Sequence, residues 1–292
     1  MLSWSTGHRD SKDYFPDVEG PVDSIYKRLR ENNLCNNNDY QNIGVNGADS
    51  SSLHDKLEFI LSRDKNISPL PQKPVLLFMA MIGNDVCSHS TTSRTTPQEY
   101  HDNFLNTILS LDQRLPKGSK VVTIGLVDGR ILYDSMHDRV HPIGSTNQDV
   151  TYAHFYDYLN CMELSPCAGW MNSNQTIRDA LSATAAQMTA QHPIIIEETK
   201  GKLQNIELFY LGDVLNDAIH GYLNAGGQGW ELIEPSDGFH PNQFGQALFA
   251  EYLWNALQTA GVIPPANPHN DAIRARFFPD EVKPKPAMEV TE

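Results

Sequence analysis

The sequence is short of basic residues and has no long apolar run, and each shortage removes a class of function. Twenty-two lysines and arginines stand against 36 aspartates and glutamates, a formal charge of −14. That is the wrong sign for a chain that binds nucleic acid by neutralising phosphates. The longest uninterrupted apolar stretch, Val75 to Ile82, has eight residues, far below the ~20 that a membrane-crossing helix needs. It reads instead as a buried strand. The opening residues, MLSWSTGHRDSKDYF, contain no basic segment followed by an apolar one and are not expected to act as a secretion signal. There is no internal repeat. Cysteine is scarce, with four in 292 residues. The even number, together with N-x-S/T acceptors at Asn66 and Asn174, suits an oxidising, glycosylating compartment, although free cytosolic thiols and chance acceptors give the same letters.

What is present is the composition of a folded domain. Apolar residues make up 40% and charged residues 20% of the chain, enough to bury one core of catalytic size. Residues 1–50 are turn-rich, and only Ser24 to Glu31 reads as a helix. A short strand at Asn42 to Val45, a turn at Asn46-Gly47 and a helix with Leu53, Leu57, Ile60 and Leu61 on one face follow. Pro74 precedes Val75–Ile82, whose continuous apolar character predicts a central parallel strand ending at Gly83-Asn84-Asp85. Thr96-Pro97-Gln98-Glu99 combines an N-cap, a proline at the first helical position and a capping-box glutamate. Next come a strand at Val121 to Leu126, an irregular stretch from Asp128 to about Trp170, a helix near Ile177 to Met188 and a strand at Ile206 to Leu211. A final helix carries Phe244, Leu248, Leu253 and Leu257. Strands alternating with helices predict an α/β fold with a largely parallel sheet. Six prolines from Pro264 onward predict no regular structure there. The chain thus divides into an irregular segment 1–22, a domain 23–262 and a proline-rich tail 263–292.

In an open α/β sheet the site lies beyond the carboxyl ends of the strands, where three polar clusters fall: Asn46-Gly47, Gly83-Asn84-Asp85, and Asp237 with His240. An aspartate three residues before a histidine can accept from one ring nitrogen and leave the other as a general base. A glycine amide and an asparagine carboxamide, here Gly47 and Asn84, can donate to the oxyanion that forms when an ester is hydrolysed. Taken singly, each fragment is also what an ordinary turn, cap or surface histidine looks like. Their order and strand-end placement resemble the SGNH, or GDSL, hydrolases, with Asn46-Gly47 as the second block, Gly83-Asn84-Asp85 as the third and Asp237-Gly238-Phe239-His240-Pro241-Asn242 with Gly245 as the fifth.

Within that family the chain looks most like the acyloxyacyl hydrolase branch over about residues 20–260. The likeness rests on Ser24-Ile25-Tyr26 with Arg28-Leu29-Arg30, on Asp39-Tyr40-Gln41-Asn42-Ile43, and on Ala80-Met81-Ile82-Gly83-Asn84-Asp85-Val86-Cys87. It continues through Asp149-Val150-Thr151-Tyr152-Ala153, Pro166-Cys167 with Gly169-Trp170-Met171, and Leu232-Ile233-Glu234-Pro235. The resemblance implies a flavodoxin-like three-layer α/β/α fold and removal of secondary fatty acyl chains from the lipid A of lipopolysaccharide. It also implies a secreted or lysosomal location, a saposin-like segment joined by a disulfide, and no cofactor in this chain, with calcium expected only in the saposin-like part.

The family's nucleophile stands in a Gly-Asp-Ser block after the first strand, and no Gly-Asp-Ser occurs here. The fallback, Ser50 in Gly47-Ala48-Asp49-Ser50, lies in a stretch that already supplies the glycine block. Ser11, after Arg9-Asp10, has no apolar strand before it. The expectation is therefore a chain that starts after its own nucleophile and lacks the first strand of the sheet. The remaining fragments are read conservatively. His137 and His141, with Asp138 between them, have the spacing of metal ligands on a helix, but Pro142 follows and no third ligand is evident, and His8-Arg9-Asp10 shares only letters with a kinase loop. Cys35, Cys87, Cys161 and Cys167 are the disulfide candidates. Cys161 and Cys167 are close enough for a small loop, or one of them pairs with the saposin-like part. Phe155, Tyr156 and Tyr158 read as core in preference to an acyl pocket. A noncatalytic lipid-binding or interaction protein on the same fold, and an esterase of carbohydrate acetyl groups, are the competing functions.

Overall fold

A computed structural model describes residues 3–8, 22–36, 39–54, 57, 73–81, 83–88 and 94–278. Three strands, β1 (Leu76–Met79), β2 (Ser119–Thr123) and β3 (Ile206–Tyr210), form a parallel sheet in the order β1-β2-β3. Leu77 pairs with Val121 and Val121 with Leu208; one residue on, Phe78 pairs with Val122 and Val122 with Phe209. Because side chains alternate between faces with period two, each row feeds a different core. Leu77, Met79, Val121 and Leu208 pack with Tyr100, Phe104, Ile108 and Leu111 of α2 (Pro97–Arg114), Leu181 and Met188 of α5 (Gln175–Thr189) and Ile195 of α6 (Gln191–Thr199). Phe78, Val122 and Phe209 pack on the other side with Ile25 of α1 (Ile25–Asn32), Leu215 and Ile219 of α7 (Val214–Asn224) and Leu253 and Leu257 of α8 (Gln243–Thr259). Helix layers cover both faces, as the α/β/α expectation requires.

Several expectations are corrected. The run Val75–Ile82 was read as a central strand, but β2 holds the centre and β1 an edge of the sheet formed by the described residues. Its apolar continuity reports helices on both faces, not strands on both sides. Asn42–Val45 is not a strand. The Asn42 carboxamide accepts from the Gly44 amide at 2.9 Å and Val45 is exposed, so a local side-chain bond replaces the ladder. Leu53 and Leu57 are helical and buried, while Ile60 and Leu61 lie outside the described residues.

The stretch Asp128–Trp170 contains α3 (Arg130–Met136) and α4 (Tyr152–Cys161). The start of α4 is a capping box in which His154 takes the place usually held by an acid, its imidazole accepting from the Thr151 amide at 3.3 Å. The tail is not wholly irregular either, since α9 (Asn270–Phe277) occupies the proline-free interval between Pro268 and Pro279. Asn270 secures it by donating to the Glu31 and Asn32 carbonyls at 3.1 and 3.0 Å. Both carbonyls belong to the last turn of α1, which leaves them without a helical partner, and the Asn32 carbonyl also accepts from Asn267 N–H at 2.9 Å. The α2 cap is as predicted, with the Thr96 amide donating to Glu99 Oε2 at 2.8 Å.

Candidate active site

The loop between α7 and α8 brings Asp237 and His240 together. Asp237 Oδ1 accepts the amides of Phe239 and His240 at 2.8 and 3.1 Å, and its Oδ2 meets His240 Nδ1 at 2.7 Å. This holds the imidazole with Nε2 directed away from the carboxylate. The bond to Asp237 raises the His240 pKa against the opposing effect of partial burial, and the Asp237 and Glu234 charges add to the rise. For Asp237 burial alone would raise the carboxyl, but the bonds from the His240 ring and the two amides win, so it lies below the usual carboxylate range. A histidine so held can take a proton from a hydroxyl and return it to a leaving group.

The loop is fixed from within and from outside. Gly238 N–H donates to Glu234 O and Glu234 N–H to His240 O, both at 2.8 Å. Gly238 has φ of +62°, and a Cβ there would lie 2.7 Å from Tyr156 Oη and 2.8 Å from Tyr152 Cδ1. Only glycine meets both conditions. From α4, Tyr152 Oη donates to Pro235 O and Tyr156 Oη to Gly238 O, each at 2.6 Å. Beyond the dyad, Asn242 caps α8 by accepting from Gly245 N–H at 2.9 Å.

The Asn46-Gly47 turn and the Gly83-Asn84-Asp85 block after β1 meet each other. Asn84 Nδ2 donates to Ala48 O at 2.7 Å, and both oxygens of Asp85 accept the Ser50 amide at 3.1 Å. The turn at Gly47 has φ of +74°. The Asn84 carboxamide carries two N–H donors, of which the bond to Ala48 uses one. Ser50 is buried; its hydroxyl donates to Asp85 and accepts from Asn103 Nδ2 at 3.0 Å. Burial raises Asp85's pKa, with the Ser50 bonds working against the rise. Among the described residues no hydrogen bond joins Gly47, Asn84 or Ser50 to Asp237 or His240. Ser11 and Asn66 lie outside the described residues, and Asn174 is exposed at the N-cap of α5.

The cysteines pair differently from the small loop considered above. Cys87 is bonded to Cys167, and Cys35 and Cys161 are free and exposed. Cys161 ends α4 on the solvent side, whereas Cys167 is fully buried, so the helix end carries the closer thiol away. The disulfide ties the turn holding Asn84 to the segment after α4. Trp170 in that segment is buried, and its Nε1 donates to Ser182 Oγ at 3.0 Å. Of the aromatic trio on α4, Tyr156 is buried, Phe155 stacks on the His141 ring at 4.0 Å and Tyr158 is exposed. His137 caps the end of α3 and His141 begins a 3-10 turn, so the two do not share a helix face. Among the described residues no group of three His, Cys, Asp or Glu side chains could hold a metal. Sequence reasoning missed the loop-holding role of the Tyr152 and Tyr156 hydroxyls, because the stretch that carries them was read as irregular and their partners lie in a distant loop.

Known proteins resemble this chain over nearly its whole length. The chain is 41% identical over 282 residues to acyloxyacyl hydrolase of Homo sapiens, covering 95% of this chain and 47% of that protein. The acyloxyacyl hydrolases of Oryctolagus cuniculus and Mus musculus are likewise 41% identical over 283 residues, again 95% and 47%. The chain thus spans about half the length of the curated relatives it matches. The family described as GDSL-like Lipase/Acylhydrolase matches residues 3–253, and to that family this chain belongs.

Proposed function

We propose that these residues form the catalytic part of an ester hydrolase of the acyloxyacyl hydrolase type, acting on secondary fatty acyl chains of lipid A. The observation that carries the reading is the 2.7 Å contact between Asp237 and His240, in a chain 41% identical to acyloxyacyl hydrolases. In this reading His240 is the general base and Asp237 orients it. The Gly47 amide and the second N–H of Asn84 stabilise the oxyanion. The nucleophile is a serine of a Gly-Asp-Ser block, which the 292 residues do not contain. Ser50 is a poor substitute, because its hydroxyl is buried and engaged by Asp85 and Asn103. A saposin-like segment is the proposed partner, joined through Cys161 or Cys35, the two exposed thiols. Secretion or delivery to the lysosome fits the disulfide between Cys87 and Cys167. Among the described residues no helix is long and apolar enough to cross a membrane. No cofactor is required, and calcium belongs to the saposin-like part.

Fatty acid release from lipopolysaccharide tests the reading. The natural protein containing these residues should release secondary acyl chains, and His240→Ala should remove nearly all of that release while leaving the fold intact. Near-normal release by a well-folded variant contradicts the assignment. The rival reading is a lipid-binding protein without turnover on the same fold. Saturable lipopolysaccharide binding by the natural protein with no release, in wild type and variant alike, would establish that rival.

A further inference from the structure

The Asp237–His240 loop is stabilised internally by bonds that give it a shape but not a position. Asp237 accepts two amides of its own loop, and the Glu234–Gly238 and Glu234–His240 bonds close it on itself. Two side-chain hydrogen bonds from α4 tie it to the helix layer. Tyr152 and Tyr156 lie four residues apart, so both rings project from one face of that helix. They are 2% and 0% exposed, and each hydroxyl donates at 2.6 Å to a peptide carbonyl of the loop. The accepting carbonyls, those of Pro235 and Gly238, bracket Asp237. The missing side chain of Gly238 is the space in which the two rings sit.

We propose that Tyr152 and Tyr156 are positioning residues for the dyad: their hydroxyls clamp the peptides on either side of Asp237 and so set the carboxylate that orients His240. The proposal deepens the reading above and rests on it. A buried phenol has two side-chain torsions and a single O–H, so a pair of them on one helix face makes a stiff two-point support. Burial holds both phenols protonated, with the Asp237 charge adding to the effect, which keeps them donors across the working pH range. The same helix leads into the segment that carries Cys167, whose disulfide holds the Asn84 turn. One element therefore supports the base loop directly and the oxyanion turn through its following segment. The charged and titratable groups facing the loop are Asp237 and Glu234 within it, Arg139 beside Tyr152, and the His141 imidazole against the Ser236 backbone.

The test is the titration of the His240 imidazole followed by NMR in wild type, Asp237→Asn, each single Tyr→Phe variant and the double variant. Asp237→Asn sets the position His240 takes without its carboxylate. The double variant, with a cooperative melting transition, should lose about half or more of the displacement between wild type and Asp237→Asn, because a hydrogen bond to a charged group is the part most sensitive to geometry. Gly238→Ala, which presses a methyl group against both rings, should move His240 the same way. A folded double variant in which His240 titrates as in wild type overturns the proposal. If the double variant does not fold, the single variants and Gly238→Ala carry the same two outcomes. The titration needs no turnover, so an intact dyad without ester hydrolysis would count against the functional reading and leave this proposal standing.

Discussion

His240 must be neutral to take a proton, yet its bond to Asp237 favours the charged ring, so pH sets when the proposed base can act. Its pKa is raised from the ordinary 6.5. The stabilising contribution of the dyad is therefore full below the unfolded pKa of the imidazole and fades as pH rises through the folded one. Catalysis gains over the pH range in which that contribution is lost. In the natural protein kcat/KM should rise with pH through a midpoint above that of a free histidine. Asp237→Asn should lower that midpoint as well as the rate, and a pH–rate profile with an unmoved midpoint would contradict the role of Asp237. For Asn84→Ala the expected loss in kcat is ~10²–10³, the usual effect of deleting one oxyanion donor, with a much smaller change in KM. A raised KM with kcat unchanged would make Asn84 a binding residue instead.

At the scale of elements, two features set stability. The Cys87–Cys167 bond joins residues 80 apart, and closing a loop of that length removes about 4 kcal/mol of unfolded-chain entropy. Cys87→Ser with Cys167→Ser should lower the unfolding free energy by up to that amount, and denaturant unfolding of the two forms measures it. His192 of α6 is buried against Tyr100, Phe104 and Tyr210, and burial pushes its pKa down to about 4. A depressed imidazole makes stability fall as pH drops from the unfolded value of 6.5 towards 4, by about 3 kcal/mol. His192→Gln should flatten the stability profile over that window, and an unchanged slope would show that another group sets it. Elements with strong local signals were legible in the sequence. The helix after Thr96-Pro97-Gln98-Glu99 begins where its capping box says, and the strands at 121 and 206 fall within a few residues. α4 was not, because His154 fills the capping position where an acid was the signal. Asn42–Val45 failed because two apolar residues in four give a pattern without a partner strand.

For the whole molecule, the sheet with a helix layer on each face was readable because continuous apolar strands need cover on both sides. The order of the strands was not, since a covered edge strand and a central one have the same composition. The dyad was readable because its two members are three residues apart and bond within one loop. What supports it was not, because Tyr152 and Tyr156 are more than eighty positions from the carbonyls they hold, and nothing local marks such a pair. Ser50 could be weighed in sequence only by its place in the glycine block; its bonds to Asp85 and Asn103 are a property of the fold. In the proposed mechanism His240 activates a serine of a Gly-Asp-Ser block. Labelling the natural protein with an alkyl fluorophosphonate, followed by mass spectrometric location of the modified residue, tests it most directly. Label is expected on the Gly-Asp-Ser serine, with none on Ser50, and labelling should be lost in His240→Ala. Label on Ser50, or labelling of the serine undiminished in a folded His240→Ala variant, would contradict it.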